Sequence, residues 1–73
     1  MEFHRDGFGI TFNILLNSIN EFTGGGTEFE DGTICKLNMG DMLIHCGLIL
    51  HSGKKIEFGI RYILIGCLKL KTM

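Results

Sequence analysis

The sequence predicts an all-β fold in which short strands alternate with tight turns. The chain has 11 glycines and no proline among its 73 residues. Glycine adopts a positive φ in turns at no steric cost, so this composition suits many reversals of the chain. Apolar residues alternate with other residues instead of recurring at helical spacing. Turn signals that separate strands of about five residues are typical of a β-sandwich or barrel.

The first strand is predicted over residues 9–17, which read GITFNILLN. Period-two alternation of β-branched and aromatic residues favours a strand here. Its two faces carry Ile10, Phe12, Ile14 and Leu16 on one side and Thr11, Asn13, Leu15 and Asn17 on the other. The polar segment 17–23 predicts a turn or a short helical loop, and the glycine triplet 24–26 then breaks regular structure.

The middle of the chain predicts a hairpin, because residues 27–31 and 33–37 alternate around the turn signal Asp31-Gly32. The remaining elements are a turn at 38–41, strands at 42–46 and 48–51, a turn at 52–55 and a last, longest strand at 57–70.

Length and composition indicate one domain covering residues 1–73. The net charge is −1 and no basic block stands out, so nothing favours nucleic acid as a partner. The three cysteines, Cys35, Cys46 and Cys67, are widely spaced and odd in number. We therefore interpret them as buried or free thiols, which favours a reducing compartment.

Neither end of the chain predicts a targeting or membrane segment. The first residues, Met1 to Asp6, are charged and contain no apolar core of a signal peptide. The most apolar stretch, residues 60–68, contains Arg61 and is far too short to span a bilayer. We expect no membrane association, and a cytoplasmic location is favoured.

A metal site is suggested by His4-Arg5-Asp6, because side chains two apart on a strand point the same way. With a second histidine, either His45 or His51, the pair would complete two histidines and one carboxylate. That facial triad leaves open positions on Fe(II), as an oxygenase needs. Alone, the His-x-Asp pattern is weak evidence, because it often occurs by chance and a charged strand end is the more common explanation. A kinase catalytic loop is excluded, since it needs Asn where Thr11 stands.

Arg61 lies within an apolar run, where an unpaired guanidinium is costly. It could snorkel to the surface or pair with Asp41 or Glu57. Its planar fork could instead clamp a ligand carboxylate through two hydrogen bonds.

Taken together, these features have the order and spacing of a known family. The segments are His4-x-Asp6, Thr11 to Asn17, Gly24 to Phe29, Gly40-Asp41, His51-x-Gly53 and Gly59 to Leu64. The chain thereby resembles the prolyl 4-hydroxylase and procollagen lysyl hydroxylase family of 2-oxoglutarate- and Fe(II)-dependent dioxygenases, from about Phe3 to Lys69. The resemblance implies a double-stranded β-helix, a jelly-roll and cupin-like architecture.

The resemblance also implies a metal site. His4 and Asp6 match the proximal iron ligands of the family. His51 matches the distal ligand, because the family's basic carboxylate-binding residue follows that histidine by about ten positions, as Arg61 does here. His45 is then expected to be a packed histidine or one that touches the ligands without binding iron.

Arg61 matches the residue that pairs with the distal carboxylate of 2-oxoglutarate. Thr11 and Asn13 share one strand face and are expected to line the cofactor pocket, whereas Tyr62 alternates away and is expected to pack. The Gly24 to Gly26 triplet matches a turn of the family.

The implied activity is hydroxylation of a prolyl, or lysyl, side chain of a peptide or protein. Fe(II), 2-oxoglutarate and O2 take part, succinate and CO2 are the co-products, and ascorbate serves as a reductant.

The chain departs from the family at its start, because it begins just before His4. Relatives have further core strands upstream, so we expect an N-terminally truncated core whose open sheet edge invites self-association. Two alternatives stay open: a truncated, non-catalytic β-helix fragment, or a small jelly-roll binding module.

Overall fold

A computed structural model of the chain describes residues 2–5 and 9–69. The strands in this part are β1 (Ile10–Leu15), β2 (Phe22–Gly24), β3 (Thr27–Phe29), β4 (Ile34–Cys35), β5 (Met42–Cys46), β6 (His51–Gly53), β7 (Ile56–Gly59) and β8 (Ile63–Leu68). A single 3-10 turn (Ile19–Glu21) begins at Ser18, whose side chain accepts a hydrogen bond from the backbone of Asn20. The prediction of an all-β fold is therefore confirmed, and the described ranges contain no helix that could cross a membrane.

The strands form small antiparallel sheets. Strands β5, β1 and β8 make one three-stranded sheet in that order, and β4, β3 and β6 make another. Strands β2 and β7 form a two-stranded ribbon. An isolated bridge between His4 and His51 attaches the start of the chain to β6.

The buried side of β1 is its polar side. Thr11, Asn13 and Leu15 are buried, while the alternate residues Ile10, Phe12 and Ile14 are only half-buried. Directly opposite residues of an antiparallel pair share a face. His45 pairs with Thr11 and Leu43 pairs with Asn13, so they lie on the same side of the sheet. We call this side the inner face.

The opposite side of this sheet, which we call the outer face, is apolar. Its central row comes from β1, and its flanking residues from β5 and β8 are exposed except for the half-buried Gly66; Ile44, for example, is 60% exposed. Its members are Ile10, Phe12, Ile14, Met42, Ile44, Cys46, Leu64, Gly66 and Leu68. Gly66 leaves room for the Phe12 ring, which occupies the space that a side chain at this position would need.

The inner face packs against the sheet of β4, β3 and β6 through ring contacts. The ring centroid of His45 lies 5.4 Å from that of Phe29 and 4.4 Å from that of His51. Among the described residues Leu15, at 2% exposed, is the one buried hydrophobic side chain. The interior is thus largely polar, and little of the apolar surface of this small chain is buried in a core.

Several sequence predictions of elements are confirmed. The strand at 42–46 is found as predicted, β1 lies inside the predicted 9–17, and a short helical turn occurs within 17–23. The hairpin around Asp31-Gly32 is also present, since β3 pairs antiparallel with β4. Gly32 has the positive φ of 91° that such a turn requires.

Two predictions of elements are wrong. The segment 57–70 is two strands, β7 and β8, because Gly59 adopts a φ of 83° and ends β7. The backbone of Glu21 also lies so close to Gly59 that no side chain would fit. The strand expected at 48–51 begins at His51 and continues through the predicted turn to Gly53, because β3 pairs with it there.

The three cysteines are free thiols, as expected. Cys35 is half-buried, whereas Cys46 and Cys67 are exposed and so are not buried thiols. The Cys67 sulfur lies 3.8 Å from the Thr11 hydroxyl.

Candidate metal and anion site

The structure brings His4 and His51 together. The backbone N–H of His4 donates to the carbonyl of His51 at 2.7 Å, and the reverse bond measures 3.0 Å. The ring centroids of the two histidines are 4.5 Å apart. Asp6, the predicted carboxylate ligand, lies outside the described residues. Two of the three expected metal ligands are therefore adjacent.

Backbone carbonyls orient both rings. Nδ1 of His51 is 2.7 Å from the carbonyl oxygen of Ile49, and Nδ1 of His4 is 3.1 Å from that of Glu2. A carbonyl oxygen can only accept, so in each neutral ring Nδ1 carries the proton and Nε2 carries the lone pair. A carbonyl that fixes the tautomer in this way is typical of metal-binding histidines.

His45 joins the same cluster. It is 8% exposed, and its ring centroid is 4.4 Å from that of His51. Its Nδ1 donates to the carbonyl of Cys46 at 3.0 Å, so its Nε2 is an acceptor. That Nε2 is buried and has no hydrogen-bond partner. A buried acceptor without a partner destabilises the protein by about 1–3 kcal/mol, which points to a ligand that completes this bond.

The described residues hold no group of three or more histidine, cysteine, aspartate or glutamate side chains that could bind a metal. His4, His45 and His51 are all described, so these three rings do not form a three-histidine site. The donor set expected from the sequence is His4 and His51 with the Asp6 carboxylate, two nitrogens and one oxygen, and its third member lies outside the described residues.

A cavity of about 390 Å³ contains Arg61. Its lining includes two cations, Arg61 and Lys36, and no carboxylate. Apolar walls come from Leu15 and Ile63, and Thr27 adds a hydroxyl group. This volume is in the range of small-molecule sites, and the charge of the lining favours an anion.

Arg61 occupies the break between β7 and β8, not the interior of one strand. The side-chain amide of Asn17 holds this break: its oxygen accepts from the Tyr62 backbone at 2.8 Å and its nitrogen donates to the Ile60 carbonyl at 2.8 Å. Gly25 lies against the Arg61 side chain, because a Cβ there would be 3.4 Å from Cδ and Nε. Asn17 and Gly25 thus fix the position of Arg61.

The charge of Arg61 is not neutralised by the described residues. None of them pairs with its guanidinium, and the ion pairs considered with Asp41 and Glu57 are not formed. Partial burial lowers the pKa of Arg61, yet an arginine remains charged at neutral pH. Tyr62 is 58% exposed, so the expectation that it packs is wrong.

Thr11 and Asn13, the predicted pocket residues, are both buried on the inner face. Thr11 is paired with His45, and Leu15 lines the cavity of Arg61, so Asn13 lies between the histidines and that cavity. Residues two apart on a strand are separated by about 7 Å, comparable with the span of a five-carbon dicarboxylate. Neither Thr11 nor Asn13 lines the cavity directly.

Sequence reasoning missed four residues of this region. Phe29 and Thr27 link the histidines to the cavity along β3, and Asn17 and Gly25 position Arg61. Alternation along 27–31 could have placed Thr27 and Phe29 on one face. The contacts of Asn17 and Gly25 join distant segments, so no local pattern reveals them.

The chain matches no family model, no curated protein and no solved structure.

Proposed function

We propose that this chain is the core of a 2-oxoglutarate- and Fe(II)-dependent dioxygenase that hydroxylates a prolyl or lysyl side chain of a peptide or protein. The observation that carries the proposal is the adjacency of His4 and His51, with both rings oriented by backbone carbonyls. A cationic cavity of ligand size, reached along the same inner face, supports it.

The sheet topology supports a double-stranded β-helix. Two three-stranded antiparallel sheets contact each other through the ring of His45, and the chain crosses repeatedly between the sheets to form the strand orders β5-β1-β8 and β4-β3-β6. The His4 bridge places the first histidine at the edge of the second sheet, beside the strand that carries the other histidine.

The protein's part in the reaction is to hold and orient. His4 and His51 would bind iron through Nε2, and Asp6 would supply the carboxylate oxygen. Iron, 2-oxoglutarate and O2 together supply the oxidising power, with succinate and CO2 as co-products, and ascorbate would maintain the ferrous state. Thr11 and Asn13, which are buried on the inner face outside the cavity lining, would offer polar groups towards the keto acid.

Arg61 would pair with the distal carboxylate of 2-oxoglutarate, and Lys36 adds a second positive charge to the same cavity. An arginine fork forms two parallel hydrogen bonds with a carboxylate, which are stronger than neutral ones. The unpaired state of Arg61 among the described residues is consistent with a charge kept for a ligand.

One observation favours the alternative of a non-catalytic β-helix fragment. Leu15 is the one buried apolar side chain of the described ranges, so the folded state has little hydrophobic stabilisation. In that case the histidines and Arg61 would be near each other, but their positions would vary too much to bind iron and 2-oxoglutarate.

Thermal unfolding with and without ligands tests the proposal. Iron with 2-oxoglutarate at one hundred times its Kd should stabilise the protein by about 2.7 kcal/mol. Arg61→Ala should lose most of the stabilisation by the keto acid and keep that by iron alone. Lys55→Ala, which removes an exposed cation outside the cavity, should behave as wild type. A wild-type midpoint unmoved by iron and 2-oxoglutarate would favour the non-catalytic fragment.

A further inference from the structure

A second recess, an open cleft of about 590 Å³, adjoins the histidines. Its charge is opposite to that of the Arg61 cavity, because its lining contains two carboxylates and no lysine or arginine. The lining residues are Phe29, Glu30, Asp31, Thr33, Leu43, Ile44, His45 and Ile49.

The cleft leads to the proposed metal site. His45 lines it, and the His45 ring centroid is 4.4 Å from that of His51. Phe29 also lines the cleft and contacts both histidine rings. A molecule that fills the cleft therefore ends beside the histidine that would bind iron.

The polar groups of this lining are mainly acceptors. The carboxylates of Glu30 and Asp31 accept hydrogen bonds, and Asp31 uses one oxygen for the backbone of Thr33 at 2.9 Å. The buried Nε2 of His45 is an acceptor without a partner. A positively charged group with several N–H donors complements this set of acceptors.

We propose that this cleft binds a cationic peptide segment, with a lysine or arginine side chain directed towards Glu30 and Asp31. The inference rests on the proposed function, since the peptide is its substrate. The apolar walls, Phe29, Leu43 and Ile49, suit the aliphatic stem of such a side chain. The competing possibility is that the peptide binds through a neutral prolyl segment and that no cationic side chain contributes.

The opposite charges of the two recesses would direct the keto acid to one recess and the basic peptide to the other. The cationic cavity attracts the keto acid and repels the basic peptide, while the acidic cleft does the reverse. The chain as a whole has a net charge of only −1, so the discrimination is local to these recesses.

Fluorescence anisotropy with labelled nonapeptides tests the inference at low salt, where exposed charges are least screened. One peptide alternates glycine and lysine, and a second alternates glycine and norleucine. The lysine peptide should bind the wild type about tenfold more tightly, the order expected for two surface ion pairs. The double variant Glu30→Gln with Asp31→Asn should lose that preference.

The matched control is Glu21→Gln with Glu57→Gln, which changes the net charge equally and leaves the cleft intact. Glutamine at position 21 also preserves the capping box of the 3-10 turn. The control should keep the tenfold preference. Equal binding of the two peptides, no binding of either, or a preference that survives the cleft variant would overturn the inference. Because iron and keto acid are omitted, such a failure is separate from a failure of the metal site.

Discussion

The two faces of the sheet β5-β1-β8 differ in a way opposite to most antiparallel sheets. Such sheets usually bury an apolar face and expose a polar one. Here the inner face buries Thr11, Asn13 and His45, while the outer face leaves Ile44 and its apolar neighbours exposed. The interior of this chain therefore suits binding more than stability, and substitutions on the two faces should have different consequences.

The largest effect should come from the histidines of the interior. His51→Ala should weaken Fe(II) binding more than 100-fold, because a direct ligand is lost and the remaining donors cannot hold the metal. His45→Ala should change it by less than tenfold, since the proposed ligands are His4, Asp6 and His51 and His45 only packs against them. Anaerobic competition with a ferrous chelator measures both. The reverse ranking would mean that His45, not His51, is the ligand.

Leu43 and Ile44 are neighbours on β5 whose side chains lie on opposite sides of the sheet. The same substitution at each position therefore compares how much the two faces contribute to stability. Leu43→Lys should lower the free energy of unfolding by about 2 kcal/mol, because it replaces a half-buried apolar side chain beside Asn13 with a charged one. Ile44→Lys should change it by less than about 0.5 kcal/mol, since this residue is exposed. Urea unfolding of both variants measures the difference. Equal losses would show that the outer face is covered in solution.

Asn17 connects the end of the predicted first strand to the segment that carries Arg61. Asn17→Ala removes both hydrogen bonds that flank this arginine and should weaken 2-oxoglutarate binding about tenfold. Binding of pyruvate, which lacks the distal carboxylate, should be unchanged, as should iron binding. Asn20→Ala, in the exposed 3-10 turn, is the matched control. Equal losses for pyruvate and 2-oxoglutarate would mean general damage to the fold.

The smallest effect concerns the unpaired nitrogen of His45. His45→Leu should raise the free energy of unfolding of the ligand-free protein by about 1 kcal/mol, because a buried acceptor without a partner is removed. Thermal unfolding without ligands measures this change. A loss of stability would show that the imidazole already has a partner in the ligand-free protein.

Alternation and turn chemistry were sufficient to predict much of the strand pattern. Residues 10–15 and 42–46 alternate or are continuously apolar, and Asp31-Gly32 has a strong hairpin signal, so these elements follow from local preferences. The break at Gly59 was not predictable, because it depends on the close approach of the Glu21 backbone. A local sequence pattern does not indicate contacts between residues that are far apart in the chain.

The buried face of β1 could not be predicted either. Alternation defines two faces, but burial depends on which one meets Phe29 and the histidines of the facing sheet. His4, His51 and Arg61 were predicted as site residues because their order and spacing resemble those of a known family. Asn17 was not predicted, because its role depends on tertiary contacts.

The most direct test of the central claim is an anaerobic titration of the folded protein with Fe(II) and then 2-oxoglutarate. A keto acid chelated to ferrous iron produces a weak visible charge-transfer band. We expect this band at one equivalent of metal, and we expect its loss in the His51→Ala protein. A folded wild-type protein that shows no band would contradict the claim that His4, Asp6 and His51 hold iron beside a 2-oxoglutarate site.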